Sequence, residues 1–341
     1  MEGFEQLSVF YPRGVRTGGP EALHQLVDAL RSLGHDAALV AMPGTEGRPR
    51  VADYDHYDAP EREAARCGPR DAVVTPEVWV PRAAVVGSAT WFCWWLSVDN
   101  SPVFMDARRR HNGLLLSRTP AAALRALPRA TARRLLGPAR RRRLGAAVHL
   151  AQSVYAREFV ARELGTSVGL LSDYVTATPA DREGLVADGD VPVVSFNPAK
   201  GGEAVAKVSE LLTTPVRWLP IAGMSPSEVE DALRRSDVYL DLGSLPGKDR
   251  IPREAALHGA VTLLAARGAG ANTQDFPLPD EHRIPLEPDL VRNTVGTLQQ
   301  VLADLPGHAR RQRAFRSHLA TERRRFADEV RTVFGSPGSS L

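Results

Sequence analysis

The amino-acid sequence predicts an α/β protein built from two Rossmann-like, doubly wound domains. Two series of short apolar segments alternate with segments of helical periodicity, one on each side of residue 173. Each series opens with a strand, a turn that contains glycine, and a helix, which is how doubly wound domains begin. The chain has 341 residues, more than a single hydrophobic core usually serves, so two domains are the expected organisation.

The first domain is predicted over residues 1–172. Leu7–Tyr11 and Ala37–Ala41 are apolar and β-prone, and the segment between them places four leucines and a valine on one helical face. Gly34 follows this helix in the position of a left-handed C-terminal cap. The remaining elements are expected as strands at 72–75, 82–86, 91–96 and 147–152 and a helix at 155–164.

The second domain is predicted over residues 173–312 and repeats the alternation. Its strands are expected at 191–196, 216–221, 238–242 and 260–265, and its helices at 202–212, 225–236 and 252–258. One long charged helix is predicted from residue 310 to residue 334. Its part after the second domain, residues 313–334, is expected to pack back on the first domain. Residues 335–341 form a disordered tail.

Composition and cysteine usage exclude several classes of protein. The chain starts with Glu2 and Glu5 and without a basic run ahead of an apolar stretch, so no signal peptide is predicted. No run of about eighteen apolar residues is present, which argues against a membrane-spanning helix. Cys67 and Cys93 are too few for a disulfide framework or a thiolate metal site. We therefore expect a cytoplasmic protein without a metal or cofactor.

An arginine-rich insertion is predicted at residues 107–144. Pro128 interrupts its helical composition, and its arginines, including the run at 140–143, face few acids. Such a run is most often a solvated surface, but it could dock on an anionic membrane, where each basic residue contributes about 1 kcal/mol. It has no interleaved aromatic motif of the kind found in nucleic-acid modules, which disfavours nucleic acid as a partner.

Three turns between a strand and a helix carry residue types that bind anions. In the first, Gly18 and Gly19 precede the helix, and Arg13 and Arg16 stand a few residues earlier. Glycines let the backbone approach an anion closely, and a helix N-terminus supplies unpaired N–H groups and a positive partial charge. The alternative is a flexible turn with solvated arginines.

The second turn follows the first strand of the second domain and contains Asn197 and Lys200. A lysine at this position is well placed to meet a pyrophosphate, although most lysines in turns are solvated. The third turn and its helix, at residues 241–259, contain Gly247, Lys248, Asp249, Arg253 and Glu254. A carboxylate in the first helical turn can accept both hydroxyls of a ribose, while loop amides and cations face phosphates. Glu254 could equally be an N-terminal acid paired with Arg253 or Lys248.

The segments GGPEALHQLVDALRSLGHDAALV, VVSFNPAKGG and DVYLDLGSLPGKDRIPREAALHGAV follow one another in this order. Their order resembles retaining GT-B glycosyltransferases related to glycogen synthase and sucrose synthase, in particular a bacterial polysaccharide-type branch. The resemblance covers both domains and is strongest over residues 1–40 and 191–261. It implies the GT-B fold, with an N-terminal acceptor domain and a C-terminal donor-nucleotide domain facing a central cleft, and a C-terminal helix that crosses back.

The resemblance also implies roles for single residues. Gly18 and Gly19 would lie near the donor diphosphate and sugar, Lys200 would bind phosphate, and Glu254 would hold the ribose. The other donor-binding candidates are Asn197, Gly247, Lys248 and Asp249. The acceptor-binding candidates are Arg13, Arg16, Asp99 and Asn100. The expected catalytic residues are Lys200, Arg253 and Glu254.

Two positions depart from the family's pattern. The family usually has an arginine five residues before the lysine, where this chain has Ser195. It usually has a second glutamate eight residues before Glu254, where this chain has Pro246. Because that glutamate contacts the donor sugar, the identity of the sugar and the competence for catalysis are open. Lys248 and Arg253 are the candidates to replace the missing arginine's charge.

The expected activity is hexosyl transfer, with retention, from a nucleotide-diphosphate-sugar to an acceptor hydroxyl. The acceptor would be a glycan, a lipid-linked molecule or a small molecule in polysaccharide, glycolipid or natural-product biosynthesis. The protein would be cytoplasmic or peripheral at the inner membrane face. The alternatives are a nucleotide-sugar epimerase-like enzyme and a non-catalytic GT-B protein that binds a sugar nucleotide or a partner.

Overall fold

The computed structural model describes residues 4–80, 83–98, 101, 142–177 and 191–335. Asp99, Asn100, most of the predicted arginine-rich insertion and residues 336–341 lie outside these ranges. The described residues form two compact units, one with the residues up to Asp173 and those from Phe326 onward, the other with Tyr174–Arg325. Which unit binds the acceptor and which binds the donor stays a prediction.

The first unit is built on a parallel sheet. Its strands are β1 Leu7–Tyr11, β2 Ala37–Ala41, β3 Glu61–Arg62, β4 Ala72–Pro76, β5 Thr90–Trp95, β6 Val148–Ala151 and β7 Val168–Leu170. Its helices in the described ranges are α1 Gly18–Ser32, α2 Ala83–Val86 and α3 Val154–Leu164. The strand order is β3-β2-β1-β4-β5-β6-β7. All residues of β1 and β4 are buried, as expected for central strands of a parallel sheet that is covered on both faces.

The second unit has the same construction around a second parallel sheet. Its strands are β8 Val193–Phe196, β9 Arg217–Pro220, β10 Val238–Asp241, β11 Val261–Ala265 and β12 Arg283–Ile284, in the order β12-β11-β10-β8-β9. Its α-helices within the described residues are α4 Gly202–Leu211, α5 Pro226–Arg234, α6 Arg250–Leu257, α7 Leu290–Ala303, α8 Leu305–Arg311 and α9 Arg313–Ala320. The two doubly wound sheets confirm the predicted α/β fold class.

The last helix, α10 at Glu322–Phe334, contributes its second part to the first unit. Phe326 stacks on Trp94 with ring centroids 6.4 Å apart. The carboxylate of Glu329 accepts hydrogen bonds from the backbone N of Ser172 at 2.6 Å and from its hydroxyl at 2.7 Å. Aromatic packing and a charge-assisted hydrogen-bond pair therefore hold this part of α10 against the first unit.

The predicted strand at residues 82–86 is wrong, because Ala83–Val86 form the short helix α2. Gly87 ends the helix with a φ of +59°, and a Cβ at this position would lie 2.7 Å from the carbonyl oxygen of Cys67. The backbone N of Ser88 then donates to that oxygen at 3.0 Å. This tight turn closes α2 before β5 begins, and it overrides the strand preference of the two valines.

The single charged helix predicted from residue 310 is also wrong, because the segment forms α8, α9 and α10. Gln312 lies at the first break and is fully buried. Its amide accepts from the backbone N of Thr262 at 3.0 Å and donates to the carbonyl of Thr262 at 2.7 Å. A buried contact with β11 therefore interrupts a segment whose local pattern is helical throughout.

Candidate functional site

The second sheet changes its direction of winding between β8 and β10. The chain runs from β8 to β9 on one side and then returns to β10 and β11 on the other. In doubly wound sheets, ligands bind outside the carboxyl ends of the strands at such a switch point. The turn after β8 and the loop after β10 both begin there, so the fold brings two of the three predicted anion-binding turns together.

These two turns are in direct contact because glycines leave room for it. Gly201 has a φ of +82°, and a Cβ there would lie 2.7 Å from the carbonyl carbon of Leu242. A Cβ on Gly243 would lie 2.7 Å from the Cβ of Lys200. Both positions need glycine for steric reasons, and the contact sets Lys200 beside the end of β10.

Lys200 extends from the turn after β8 and forms an ion pair with Asp249, the residue just before α6. The side chain of Asn197 accepts a hydrogen bond from the backbone N of Ala199 at 3.0 Å, and its carbonyl accepts from the backbone N of Lys200 at 2.9 Å. Asn197 therefore shapes the turn that carries Lys200. A contact between either residue and a donor stays a prediction.

Asp241 ends β10 beneath this pair and is only 1% exposed. Burial raises the pKa of its carboxyl to about 6, against the opposing effects of the Gly243 N–H and of Lys200. The Gly243 N–H donates to it at 2.8 Å, and the Tyr239 hydroxyl donates at 3.3 Å. The switch point thus contains a buried carboxyl close to the lysine that is predicted to bind phosphate.

Glu254 lies in α6 and is half-buried. Its carboxylate accepts from Nε and Nη2 of Arg250, one helical turn earlier, at 3.0 and 2.9 Å. The sequence allowed a pair with Arg253 or Lys248, whereas the structure pairs Glu254 with Arg250. The helix begins at Arg250, so Glu254 is its fifth residue and lies in the second turn, which corrects its predicted place in the first turn. Its partial exposure is compatible with the predicted contact with a ribose.

Lys248 and Arg253 are buried with Glu322 of α10. Arg253 is 0% exposed, and its Nη1 lies 2.7 Å from the Glu322 carboxylate. The Lys248 ammonium lies 3.0 Å from the same carboxylate. Arg253 also donates to the carbonyl of Lys248 at 2.7 Å and to that of Asp249 at 3.2 Å. The three side chains form a buried charge cluster that fixes the loop ahead of α6.

This burial differs from the prediction that Lys248 and Arg253 present their charges to the donor. Each of the three guanidinium nitrogen atoms of Arg253 already donates to a protein acceptor, as buried polar groups generally do. The geometry favours a positioning role for Arg253, and not the predicted catalytic one. Sequence reasoning missed Glu322 because it stands in a charged segment that resembles a solvated helix. The buried Gly247 lies in the loop that this cluster fixes, and its contact with a donor stays a prediction.

In the first unit, the first glycine-containing turn lies at the switch point between β1 and β4. Gly18 and Gly19 begin α1. Arg13 pairs with Glu61 at 3.2 Å, and Arg16 pairs with Asp53 at 3.3 Å. Both arginines therefore have acidic partners in their own unit, and their predicted contact with an acceptor stays a prediction. Asp99 and Asn100, the other acceptor candidates, lie outside the described residues.

Glu77 follows β4 at this switch point and was missed by sequence reasoning. It is 2% exposed, and burial raises its pKa to about 7. The backbone N of Leu96 donates to its carboxylate at 2.8 Å. Glu77 thereby ties the end of β4 to the loop after β5. A single glutamate between a proline and a valine gives no local sign of this burial.

Glu281, His282 and His308 are a group that could hold a metal ion, since one ligand atom of each lies within 4.8 Å of the others. However, the Gln312 amide donates to Nδ1 of His282 at 2.9 Å, which leaves the proton of His282 on Nε2. Nε2 lies 2.8 Å from Nδ1 of His308 and donates to it. Burial lowers the pKa of His282 to about 4. The arrangement favours a hydrogen-bonded pair of neutral histidines.

No protein-family profile matches the chain, and no characterised relative matches it by sequence. Solved structures do resemble it along nearly the whole chain. Sucrose-phosphate synthase from Thermosynechococcus elongatus has a TM-score of 0.61 at 12% identity, covering 97% of this chain and 95% of that one. A glycosyltransferase from Rickettsia africae has a TM-score of 0.59 at 12% identity, covering 97% and 98%. HepE from Anabaena, solved in complex with UDP-glucose, has a TM-score of 0.58 at 12% identity, covering 96% and 99%.

At these identities the likeness concerns the fold alone. Within the described ranges, the helices are too short or too polar for any of them to cross a membrane. The two parallel sheets, of seven and five strands in the described ranges, and the helices that pack on them match the fold of these neighbours. The chain has the α/β fold of the GT-B glycosyltransferases.

Proposed function

We propose that the protein is a glycosyltransferase that moves a hexosyl group from a nucleotide-diphosphate-sugar to an acceptor hydroxyl. The observation that carries the proposal is the position of Lys200 and Glu254, at one switch point of a fold shared with glycosyltransferases. One of these similar proteins was solved with UDP-glucose, which supports a nucleotide sugar as the ligand class.

In the proposed reaction, the bond between the sugar's anomeric carbon and the diphosphate oxygen breaks, and a bond to the acceptor oxygen forms. The proton of the acceptor hydroxyl passes to the leaving phosphate, so the configuration is retained without a carboxylate nucleophile. Lys200 stabilises the negative charge that develops on the leaving diphosphate. Glu254 accepts the ribose hydroxyls and orients the donor.

The acceptor in this proposal is a glycan, a lipid-linked molecule or a small molecule that meets the first unit near Gly18, Gly19 and the two arginines of that turn. In this proposal the transfer reaction takes place in the cytoplasm. The arginine-rich insertion supports docking on the anionic inner face of a membrane, because clustered basic residues are attracted to such surfaces.

The donor site is tested by replacing Lys200 with alanine. We expect Lys200→Ala to weaken the binding of a nucleoside diphosphate about tenfold or more, since charge-assisted contacts to phosphate are lost. Binding of the corresponding nucleoside should not change. Isothermal titration with UDP, ADP, GDP, dTDP and their nucleosides measures both. Lys207→Ala is the matched control, because Lys207 is exposed on α4, in the helix that follows the same turn.

Two results would contradict this proposal. If the wild-type protein binds none of the diphosphates at millimolar concentration, a sugar nucleotide is not its ligand. If Lys200→Ala weakens nucleoside and diphosphate equally, Lys200 does not contact phosphate.

A non-catalytic protein that binds a sugar nucleotide is the second candidate. Ser195 and Pro246 favour it, because neither offers a charge where the family usually has one. Ser195 is fully buried and its hydroxyl donates to the carbonyl of Val238 at 3.3 Å. Release or transfer of a labelled sugar from the nucleotide that binds best separates the two. Binding without turnover, with or without acceptors, would favour the non-catalytic protein.

A further inference from the structure

The cations of the two loops at the second switch point all have carboxylate partners. Lys200 pairs with Asp249, and Arg250 pairs with Glu254 at 2.9 Å. Lys248 and Arg253 share Glu322, so their charges face the interior of the unit. A diphosphate that enters this site therefore meets Lys200 with Asp249 already on it.

The carboxylate of Asp249 has a second set of hydrogen-bond donors within its reach, at the N-terminus of α6. Asp249 is the N-cap residue of α6, but its side chain makes no capping hydrogen bond. An N-cap aspartate normally accepts from the N–H of the second or third helical residue. Here the third residue is Pro252, which has no N–H, so the N–H of Ile251, the second residue, is the one that an Asp249 cap would use. The carboxylate can thus bond either to Lys200 or to the first turn of α6.

The ion pair and the open cap together describe a residue with two alternative partners. We propose that Asp249 competes with the donor diphosphate for Lys200, and that donor binding moves its carboxylate to the N-terminus of α6. This inference rests on the proposed function. It makes Asp249 a residue that sets the affinity for diphosphate, because every donor must displace it.

The exposure of the pair suits such an exchange. The side chains of Lys200 and Asp249 retain 33% and 21% of their exposure, so water and ligand reach both. By contrast, Lys248 and Glu322 retain 6% and 1%. A partly exposed ion pair contributes little net free energy and is easily exchanged, whereas a buried one is costly to break. The exchangeable pair is the one at the lysine predicted to bind phosphate.

The test is the replacement Asp249→Asn, which removes the charge and keeps a side chain that caps helices well. We expect it to bind UDP, or whichever of ADP, GDP and dTDP the wild type prefers, about two- to fivefold more tightly, in line with the loss of one exposed ion pair. Inorganic pyrophosphate should gain by a similar factor, and the nucleoside should not gain. Asp280→Asn is the matched control, because it removes the exposed partner of Arg283 at 3.0 Å in the same unit.

The possible outcomes separate the two proposals. If Lys200→Ala weakens diphosphate binding while Asp249→Asn leaves it unchanged or weaker, the competition is refuted and the proposed function stands. If neither wild type nor Asp249→Asn binds any diphosphate, both are refuted. A gain shared by the nucleoside also refutes the competition. Circular dichroism and thermal unfolding check the fold, and Asp249→Ser, another good capping residue without charge, carries the same expectation if the asparagine variant does not fold.

Discussion

The switch points of the two sheets each hold a buried carboxyl where a strand ends, but different groups act on that carboxyl in each unit. Glu77 follows β4 and is held by backbone N–H groups, among them that of Leu96 at 2.8 Å. Asp241 ends β10 and has Lys200 in its surroundings as well as the N–H of Gly243. Their pKa values are raised by burial to about 7 and about 6. The second switch point therefore combines a buried acid with Lys200, the cation that is predicted to bind phosphate.

The glycines of the two switch points also differ, in the amount of space beside them. A Cβ on Gly19 would make an ordinary contact of 3.6 Å with Leu96, so the backbone there has space beside it. Gly201 and Gly243 are required by the packing of one loop on the other. Space beside a helix N-terminus suits a ligand, whereas steric need explains a glycine without one. A glycine-rich turn in a sequence does not distinguish these two cases.

The largest effect is expected where charge is held in the interior of the second unit. Glu322→Gln should lower the free energy of unfolding by about 3–5 kcal/mol, because Lys248 and Arg253 lose their buried carboxylate. Urea denaturation measures this value. Asp328→Asn on the same helix removes an exposed partner of Arg331 and should cost less than about 1 kcal/mol. Equal effects of the two variants would show that the buried cluster is not a special element of the fold.

The next effect concerns the two buried carboxyls. The folded-state pKa of Glu77 is raised from 4.5 to about 7, so its favourable contribution is present below pH 4.5 and is lost as the pH rises to about 7. Relative to Glu77→Gln, the wild type should lose about 3 kcal/mol of unfolding free energy between pH 4.5 and 8. Unfolding curves across this range measure the difference. Relative to Asp241→Asn, the corresponding loss should end near pH 6.

Parallel pH profiles of the wild type and Glu77→Gln would break the comparison, since they would show that Glu77 does not titrate in this range. A loss for Asp241 that extended to pH 7 would show that Lys200 does not favour its charged form.

The smallest effect tests the glycines. Gly201→Ala should lower the unfolding free energy by about 2 kcal/mol, since it places a side chain at a φ of +82° against the backbone of Leu242. Gly19→Ala lies in the first turn of a helix with space beside it and should change stability by less than about 0.5 kcal/mol. Guanidinium unfolding measures both. A large loss for Gly19→Ala would show that the first turn is as tightly packed as the second.

The elements that depend on local pattern are predictable from the sequence. β1 and β2 have the bounds that the apolar runs indicate, and Gly34 takes the expected left-handed conformation with a φ of +91°. The helix α1 begins at Gly18, earlier than the periodicity of its leucines suggests, because residues before the first buried position already have helical backbone.

The pairings that build the site are not predictable in this way. Arg253 and Glu322 are 69 residues apart, and nothing near either one marks it as buried. The pairing of Lys200 with Asp249 likewise depends on the contact between Gly243 and the turn after β8. The sequence pattern predicts that the turn after β8 and the loop after β10 meet at one edge of the sheet. It does not predict which side chains pair there, because the packing of the folded chain determines those pairs.

The side chain of Gln312 takes the place of a missing strand residue at the edge of the second sheet. Strand β12 is two residues long and pairs with Leu264 and Ala265 at the end of β11. Thr262 lies earlier in β11, where β12 does not reach. The amide of Gln312 makes both hydrogen bonds that another residue of β12 would have made there. One side chain thus covers an otherwise unpaired piece of sheet edge, which protects β11 from pairing with a strand of another molecule.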